Sequence, residues 1–488
     1  MSPAADRSAE RIARSSARIA LWSSLTVTVA AALLLHRFAT PAIDPSFARA
    51  ERDQALWLGV EFEALPEVEL LRDLVRFDTS HPDPQEAPMA EWIAARLEAQ
   101  GIAATVERFS DGRANLWAMV EGTSSRAVVL HGHLDVEPLT DDGEWRFPPL
   151  SAHVDGPWIY GRGMYDMKSL LAAELLAFEA AARRARQGER PARSLMLLFT
   201  SSEETGGDTG TRWILEEHPE LIERMDVVVT EGGVVEATGP RDIKYWGIEF
   251  AQKRFARFEL CADERADLED LRRQMLEIGT LPPEVPVPDE VVDFLTSYGP
   301  SRTLEPYRQL LAEPQRLPLE PARYARLTPF LKAVFADVVV PFEPEPADGG
   351  GWRMRTIAHL LPGRALEPVL ALGLPDWLAH GVTRTTPVLS GADHGSPLDH
   401  ADFATLRTAI ERHHPGVPVG PYFLPVTATD ARHYREAGIR TYGIAPFALM
   451  PTETTGIGGP NERMQLPAYL AGVPLVDEMV RDLLAYAP

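Results

Sequence analysis

The chain reads as an α/β protein: a mostly parallel sheet with helices on both faces, interrupted by an inserted α/β lid domain and preceded by an N-terminal transmembrane helix. Three observations predict this class. Apolar runs at Ala127–Leu130, Ser194–Thr200 and Met225–Thr230 are short and continuous, as strands buried on both faces are. Each ends abruptly in polar residues, and helical stretches alternate with them, as in βαβ units. Such endings place polar groups at the C-terminal edge of the sheet, where open α/β sheets carry their sites.

Each element follows from its local pattern. Pro66–Phe77 carries Val68, Leu70, Leu71, Leu74 and Val75 on one helical stripe. Ala87–Gln100 repeats it with Met89, Trp92, Ile93 and Leu97, and Gly101 stops it. Ala103–Phe109 and Asn115–Val120 read as strands ahead of the first buried run. Ile159–Lys168 is glycine-rich and irregular, and Asp166 stands directly before a long Ala- and Leu-rich helix, Ser169–Arg184. Thr211–Glu217 is helical between the second and third runs. Further on, Leu268–Ile278 and Tyr324–Val338 read as helices within a proline-rich region, 264–350. Phe403–Arg412 is a helix, Thr441–Ala445 the last strand and Leu466–Ala487 the closing helix.

A length of 488 residues suits two or three domains. The net charge of −23, from 71 acidic against 48 basic residues, argues against nucleic acid and anionic surfaces as partners. The single cysteine, Cys261, excludes an intrachain disulfide and a thiolate metal site. At the N-terminus, Arg7, Arg11, Arg14 and Arg18 precede the uncharged stretch Ile19–Leu35. That pattern predicts a signal anchor with the N-terminus in the cytoplasm and the remainder periplasmic or extracellular. The alternative is a secreted protein cleaved near Ala48-Arg49-Ala50.

The polar endings carry the chemistry. The first is His131-Gly132-His133-Leu134-Asp135. His133 and Asp135, two apart on an extended chain, point to one side, so the imidazole can ligate a metal while the carboxylate orients the site. Glu203 and Glu204 follow the second run and precede Gly206-Gly207; adjacent carboxylates can divide labour, one ligating and one taking a proton from water. Glu231 follows the third run. Asp166, an N-terminal cap in its plainest role, joins them. Acids gathered in one place repel unless a cation neutralises them, and a His/Asp/Glu donor set suits zinc, with cobalt or manganese as alternatives.

In this order, His-x-Asp, Gly161-Arg162-Gly163 with Asp166-Met167-Lys168, Glu203-Glu204 and Asp226 to Gly233 resemble the di-zinc peptidases of the aminoacylase, carboxypeptidase S and glutamate carboxypeptidase type. In style the chain is most similar to secreted N-fatty-acyl-amino-acid hydrolases. The resemblance covers about 65–240 and 386–488. It implies two zinc ions, with His133 on one, Asp166 bridging both ahead of a cis peptide, Glu204 on the first and Glu231 on the second. It implies that Asp135 orients the site and that Glu203 is the general base. Thr427 to Arg432 matches an element that binds the substrate carboxylate, with Asp430 and Arg432 as its polar members. The expected domains are a cytoplasmic stub and anchor (1–40), a catalytic domain in two parts (41–245 and 386–488) and a lid with an insertion (246–385), whose opening strands fall at Tyr245–Ile248 and Phe255–Leu260.

Two departures stand out. Gly458 occupies the place of the family's last histidine ligand, and Glu453, earlier on that loop, is the candidate substitute. The lid's usual Gly-His-Ser-Ser is replaced by Cys261 to Arg265, and His359 stands where a lid arginine is usual. His394 has no assigned role. The implied activity is metal-dependent cleavage of a peptide or N-acyl-amino-acid amide beside a free carboxylate. The alternative is an impaired relative that binds a ligand or one metal without turnover. The partners are then a small-molecule substrate and, through the N-terminal helix, a membrane. The apolar helices of 264–350 pack internally, line an acyl pocket, support a homodimer through the lid, or rest on the membrane.

Overall fold

The computed structural model describes residues 59–139, 144–237, 242–278, 281–301, 308, 311–347, 349–373, 381–449 and 456–486. The proposed anchor and Glu453 lie outside the described residues. No helix among the described residues is long and apolar enough to cross a membrane.

Strands β1 (Ala104–Arg108), β2 (Ala114–Val120), β3 (Ser124–His133), β4 (His153–Asp155), β5 (Trp158–Tyr160), β6 (Arg193–Thr200), β7 (Met225–Thr230), β8 (Val234–Ala237) and β9 (Ile243–Gln252) form the first half of the chain. They are followed by β10 (Arg254–Ala262), β11 (Val338–Pro341), β12 (Glu345–Pro346), β13 (Trp352–Leu360), β14 (Thr383–Arg384), β15 (Val388–Ser390), β16 (Val419–Leu424), β17 (Arg440–Gly443) and β18 (Arg463–Gln465). The central sheet has the order β1-β2-β6-β3-β7-β17-β9-β16, with β8 beside β9. β3 runs parallel to both β6 and β7, β17 parallel to β7, and β16 parallel to β9; β1 and β2 join antiparallel at one edge.

Alternation along the buried strands explains the layers. Val128 and Leu130 of β3, with Leu195, Leu197 and Phe199 of β6, enter one core. That core holds α1 (Pro66–Arg76), α2 (Glu86–Glu98) and α3 (Ser169–Arg186). Ala127 and Val129, with Met196 and Leu198, face the other way, against Ile214 of α4 (Thr211–Glu217) and Tyr434. Both faces of these strands are covered by helices, which is why their sequences lack polar alternation.

Where the lid is expected there is a second, antiparallel sheet, β11-β13-β10-β14, with β12 on β13 and β15 on β10. Its core comes from Phe258, Leu260, Met354 and Leu360 and from Leu268, Leu271 and Met275 of α5 (Arg265–Ile278). The chain passes straight from the central sheet into the lid between Gln252 and Arg254. There the buried Lys253 donates from Nζ to the carbonyls of Ala333 and Ala336, each at 2.5 Å.

Three expectations need correction. Tyr245–Ile248 does not open the lid: it lies within β9, buried and paired with β16 in the central sheet. The lid sheet also extends past 385, because β15 pairs with β10 at Phe255–Arg257. The helix expected over Tyr324–Val338 is only Pro329–Phe335, and Val338–Pro341 is β11. The β-branched run Val338–Val340 fits a pleated surface better than a helix. The insertion is not wholly a lid feature either. Phe294 and Tyr298 of α6 (Asp289–Tyr298) meet Tyr245 edge-on or tilted at 6.5 and 5.2 Å, and Phe294 meets Tyr422 at 5.3 Å, so this helix packs on the central sheet.

Gly132 shows how closely α3 approaches β3. A Cβ there would lie 2.4 Å from Cδ2 of Leu171 and 2.7 Å from Cε of Met167. Gly132→Val is therefore expected to overpack this contact and to destabilise the protein by about 1–3 kcal/mol. Denaturant unfolding would show it as a lower midpoint; an unchanged midpoint would mean that α3 sits further from the sheet.

Candidate metal centre

β3 delivers His133 to the edge of the sheet, and the chain beyond stays extended to Val136. The Val136 N–H donates to Thr79 O at 3.0 Å, and the His81 N–H donates to Val136 O at 3.1 Å. Nδ1 of the buried His133 donates to the carbonyl of Asp135 at 2.8 Å, which turns Nε2 outward. Nε2 lies 3.0 Å from Oδ1 of Asp166 and 3.6 Å from Oε1 of Glu231.

Asp135 is fully buried and faces the Glu203-Glu204 turn. Its Oδ1 accepts the N–H of Glu203 at 3.0 Å, and its Oδ2 accepts the N–H of Glu204 at 3.1 Å and Nε2 of His81 at 2.8 Å. Burial alone would raise this carboxyl; the His81 hydrogen bond and the charges of His133 and His81 outweigh it and hold Asp135 below its ordinary value. Asp166 leaves the tight turn at Gly163, where φ is +73°, and the peptide to Met167 is cis.

Two groups of donor atoms, His133 with Glu203 and Glu231, and His133 with Asp166 and Glu204, each lie within 4.8 Å of one another. All four expected ligands thus converge, and Glu203 stands among them. Oε1 of Glu204 has no hydrogen-bond partner among the described residues. Burial, then the charge of Asp430, pushes Glu203 up to about 8. Burial, then the charge of Glu137, raises Glu204 well above its ordinary value, and burial with Asp166 does the same to Glu231. For His133, burial opposes the charged form, yet the hydrogen bond to Asp166 and the charges of Glu231, Asp166 and Asp135 raise it well above 6.5. Oxygen and imidazole donors crowded at this spacing, one of them unpartnered, fit a divalent cation.

Arg432 reaches the same place. Its Nη1 is 3.5 Å from Oε1 of Glu203, its guanidinium lies 5.7 Å from the Phe255 ring, and its Nε is unpartnered among the described residues. Asp430 is buried, accepts from the Thr211 hydroxyl at 2.7 Å and lies 3.7 Å from Nε2 of His131. His359 is buried on β13, edge-on to Phe255 at 5.4 Å; burial and the charges of Lys253 and Arg432 push it down to about 3, so it is neutral. His394 is exposed. Gly458 has a left-handed backbone, φ +67°, which L side chains rarely adopt.

Several residues escape the sequence pattern. His81 partners Asp135 from 54 residues away in the chain. Glu137, two residues past Asp135, is pushed up to about 7 by burial and by the charge of Asp166, against the pull of Arg162. Glu462 and Arg162 make a buried ion pair, 2.8 Å, beneath the Asp166 turn. Arg162 was visible in the Gly161-Arg162-Gly163 motif, but its pairing with Glu462 spans 300 residues and no local pattern marks it.

The model of peptidase family M20/M25/M40 matches residues 129–482, most of the chain and every residue of the metal centre. The chain belongs to this family. Among curated M20 relatives, succinyl-diaminopimelate desuccinylases of Dinoroseobacter shibae and Alkalilimnicola ehrlichii are each 38% identical, over 162 and 144 residues. Those matches take in 33% and 29% of this chain and 41% and 37% of the relatives, so the chain spans about two fifths of their length. The fold is that of the M20 metallo-carboxypeptidase Sso-CP2 from Sulfolobus solfataricus, with TM-score 0.60 and 16% identity over 86% of this chain and 99% of that one. Human carnosine dipeptidase 1 is similar in structure, with TM-score 0.61 and 15% identity over 90% and 98%.

Glu86 offers a pH test beside the centre. It is buried, neither carboxylate oxygen has a partner among the described residues, and burial with the charge of Asp135 pushes it from 4.5 up to about 8. A folded-state pKa above the unfolded one gives stability that is complete below 4.5 and lost as pH rises through about 8. The stability of the native chain minus that of Glu86→Gln should therefore fall across this window, by up to about 1.4 kcal/mol per pH unit. Urea titrations of both proteins at stepped pH would read it; a flat difference would place Glu86 in water.

Proposed function

We propose that this M20 protein is a metal-dependent amidohydrolase or carboxypeptidase that cleaves a peptide or an N-acyl amino acid at an amide beside a free carboxylate. The observation that carries this reading is the convergence of Asp166 and Glu204 on one side of His133 and of Glu231 and Glu203 on the other, two donor groups that share its imidazole, with Arg432 in reach of Glu203. The desuccinylase names of the curated relatives support an acyl-amide substrate. The style of secreted N-fatty-acyl-amino-acid hydrolases is the finer version of this proposal.

His133, Asp166, Glu204 and Glu231 would hold the metal, zinc in first place with cobalt or manganese as alternatives, as two ions or one. Bound there, it supplies the Lewis acidity that makes water nucleophilic at neutral pH and polarises the amide carbonyl. Glu203 takes the proton from the attacking water on its carboxylate and returns it to the leaving amine. Arg432 holds the free carboxylate by charge-assisted hydrogen bonds and so sets which amide faces Glu203. Asp135 fixes the position of Glu203 and Glu204 through their N–H groups and of His133 through its own carbonyl.

A glycine at 458, with no side chain to ligate where the resemblance places a histidine, is the ground for a second reading, a relative that binds a ligand or one metal without turnover. Metal analysis with a panel of dipeptides and acyl-amino acids separates the two. The hydrolase reading expects metal in the purified protein, activity abolished by a chelator, and a roughly 10²–10⁴-fold lower kcat in Glu203→Gln with the metal content unchanged. A metal-bearing protein that turns over no member of the panel supports the impaired reading.

We also propose that Ile19–Leu35 anchors the protein, with the metal centre outside the cytoplasm. Deleting residues 1–40 should move the protein from the membrane fraction to the soluble fraction; unchanged partitioning removes the anchor.

A further inference from the structure

We propose that Glu462, through Arg162, is the positioning residue of the Asp166 turn, so that in this chain the C-terminal loop supports the metal centre from below. The inference rests on the metal-centre reading above and deepens it.

Glu462 is 1% exposed and collects four donors around one turn. Its Oε1 accepts the N–H groups of Tyr165, at 2.9 Å, and of Asp166, at 3.4 Å. Its Oε2 accepts the N–H of Gly163, at 3.2 Å, and Nη1 of Arg162, at 2.8 Å. The Glu462 carbonyl accepts the N–H of Gly161 at 3.0 Å, and β18 pairs with β5 next to it, Arg463 opposite Tyr160. One carboxylate thus satisfies the N–H groups of the left-handed Gly163, of Tyr165 and of Asp166 itself.

Arg162, fully buried, ties this hub to two further segments. Nη1 donates to Gly459 O at 3.2 Å and Nη2 to Pro138 O at 2.9 Å, and the guanidinium lies 5.4 Å from the Trp145 ring. Pro138 follows Asp135 by three residues, so the loop after β3, the Asp166 turn and the C-terminal loop share one planar cation. Asp166 has no helix or strand of its own to hold it. Its N–H and those of Tyr165 and Gly163 depend on Glu462, and a shift of that turn moves the carboxylate that lies 3.0 Å from His133. Outer partners of this kind set metal affinity because they fix where the ligand points.

The test uses Glu462→Gln, Arg162→Lys, which keeps the charge but loses the fork, and a control, Asp402→Asn. Asp402 forms a buried ion pair with Arg193 at 2.6 Å, away from the centre. Zn²⁺ affinity is read by competition with a chromophoric chelator, and backbone amide exchange of 161–167 is read in the metal-free proteins. The expected result is Zn²⁺ binding weaker by about 10- to 100-fold in Glu462→Gln and Arg162→Lys, with faster exchange confined to that turn. Asp402→Asn lowers Tm without either change. The proposal is overturned if folded Glu462→Gln and Arg162→Lys keep Zn²⁺ affinity and exchange within about 2-fold of the native protein, or if Asp402→Asn matches them. Should the native chain itself bind no Zn²⁺, the metal-centre reading fails, and the exchange measurement still decides whether Glu462 orders the turn.

Discussion

The structure depends on Asp135. A single buried carboxylate accepts the N–H groups of Glu203 and Glu204, while the carbonyl of the same residue accepts Nδ1 of His133. Three side chains from two strands are thereby aimed by one residue that need not touch a metal. The arrangement stands only while Asp135 is charged. Charge-assisted hydrogen bonds are the strong ones, and a buried carboxylate with all its neighbours donating stays ionised where burial alone would protonate it. His81 is the last of these donors.

Around that anchor the electrostatics run the other way. Glu203, Glu204 and Glu231 lie close together and partly buried, and each is raised by burial and by its acidic neighbours. Such a group is costly unless cations or protons answer it. The fold answers part of it with His133 and Arg432, and the remainder is the physical case for a bound divalent ion. Glycines let the segments approach: at Gly132 the helix after Asp166 packs directly on β3.

The sequence made much of this legible, for identifiable reasons. β3, β6 and β7 are continuous apolar runs because both faces are buried, and their polar ends mark the sheet edge. Asp166 and the Glu203-Glu204 pair were readable because they break such patterns at fixed places. The boundary of the lid was not readable. β9 and β10 are both strands, separated by one residue, and only their pairing partners, β16 on one side and β13 on the other, assign them to different sheets. The motif named Asp430 as a polar member, but not that its Oδ2 accepts from the Thr211 hydroxyl, a contact across 219 residues.

By itself, the sequence determined which residue types are available and where along the chain they are delivered: the imidazole of His133 and four acids, Asp135, Glu203, Glu204 and Glu231, at the ends of buried runs, an aspartate before a helix, and a glycine at 458. Side-chain alternation and helix periodicity are local, so they survive in the primary pattern. The tertiary structure alone decided which remote groups hold those residues in place. His81 meets Asp135, Glu462 meets the Asp166 turn, and Arg432 meets Glu203 only because strand order and the crossing of chain segments bring them together. Those pairings depend on distances in space between residues far apart in sequence, which no local pattern encodes.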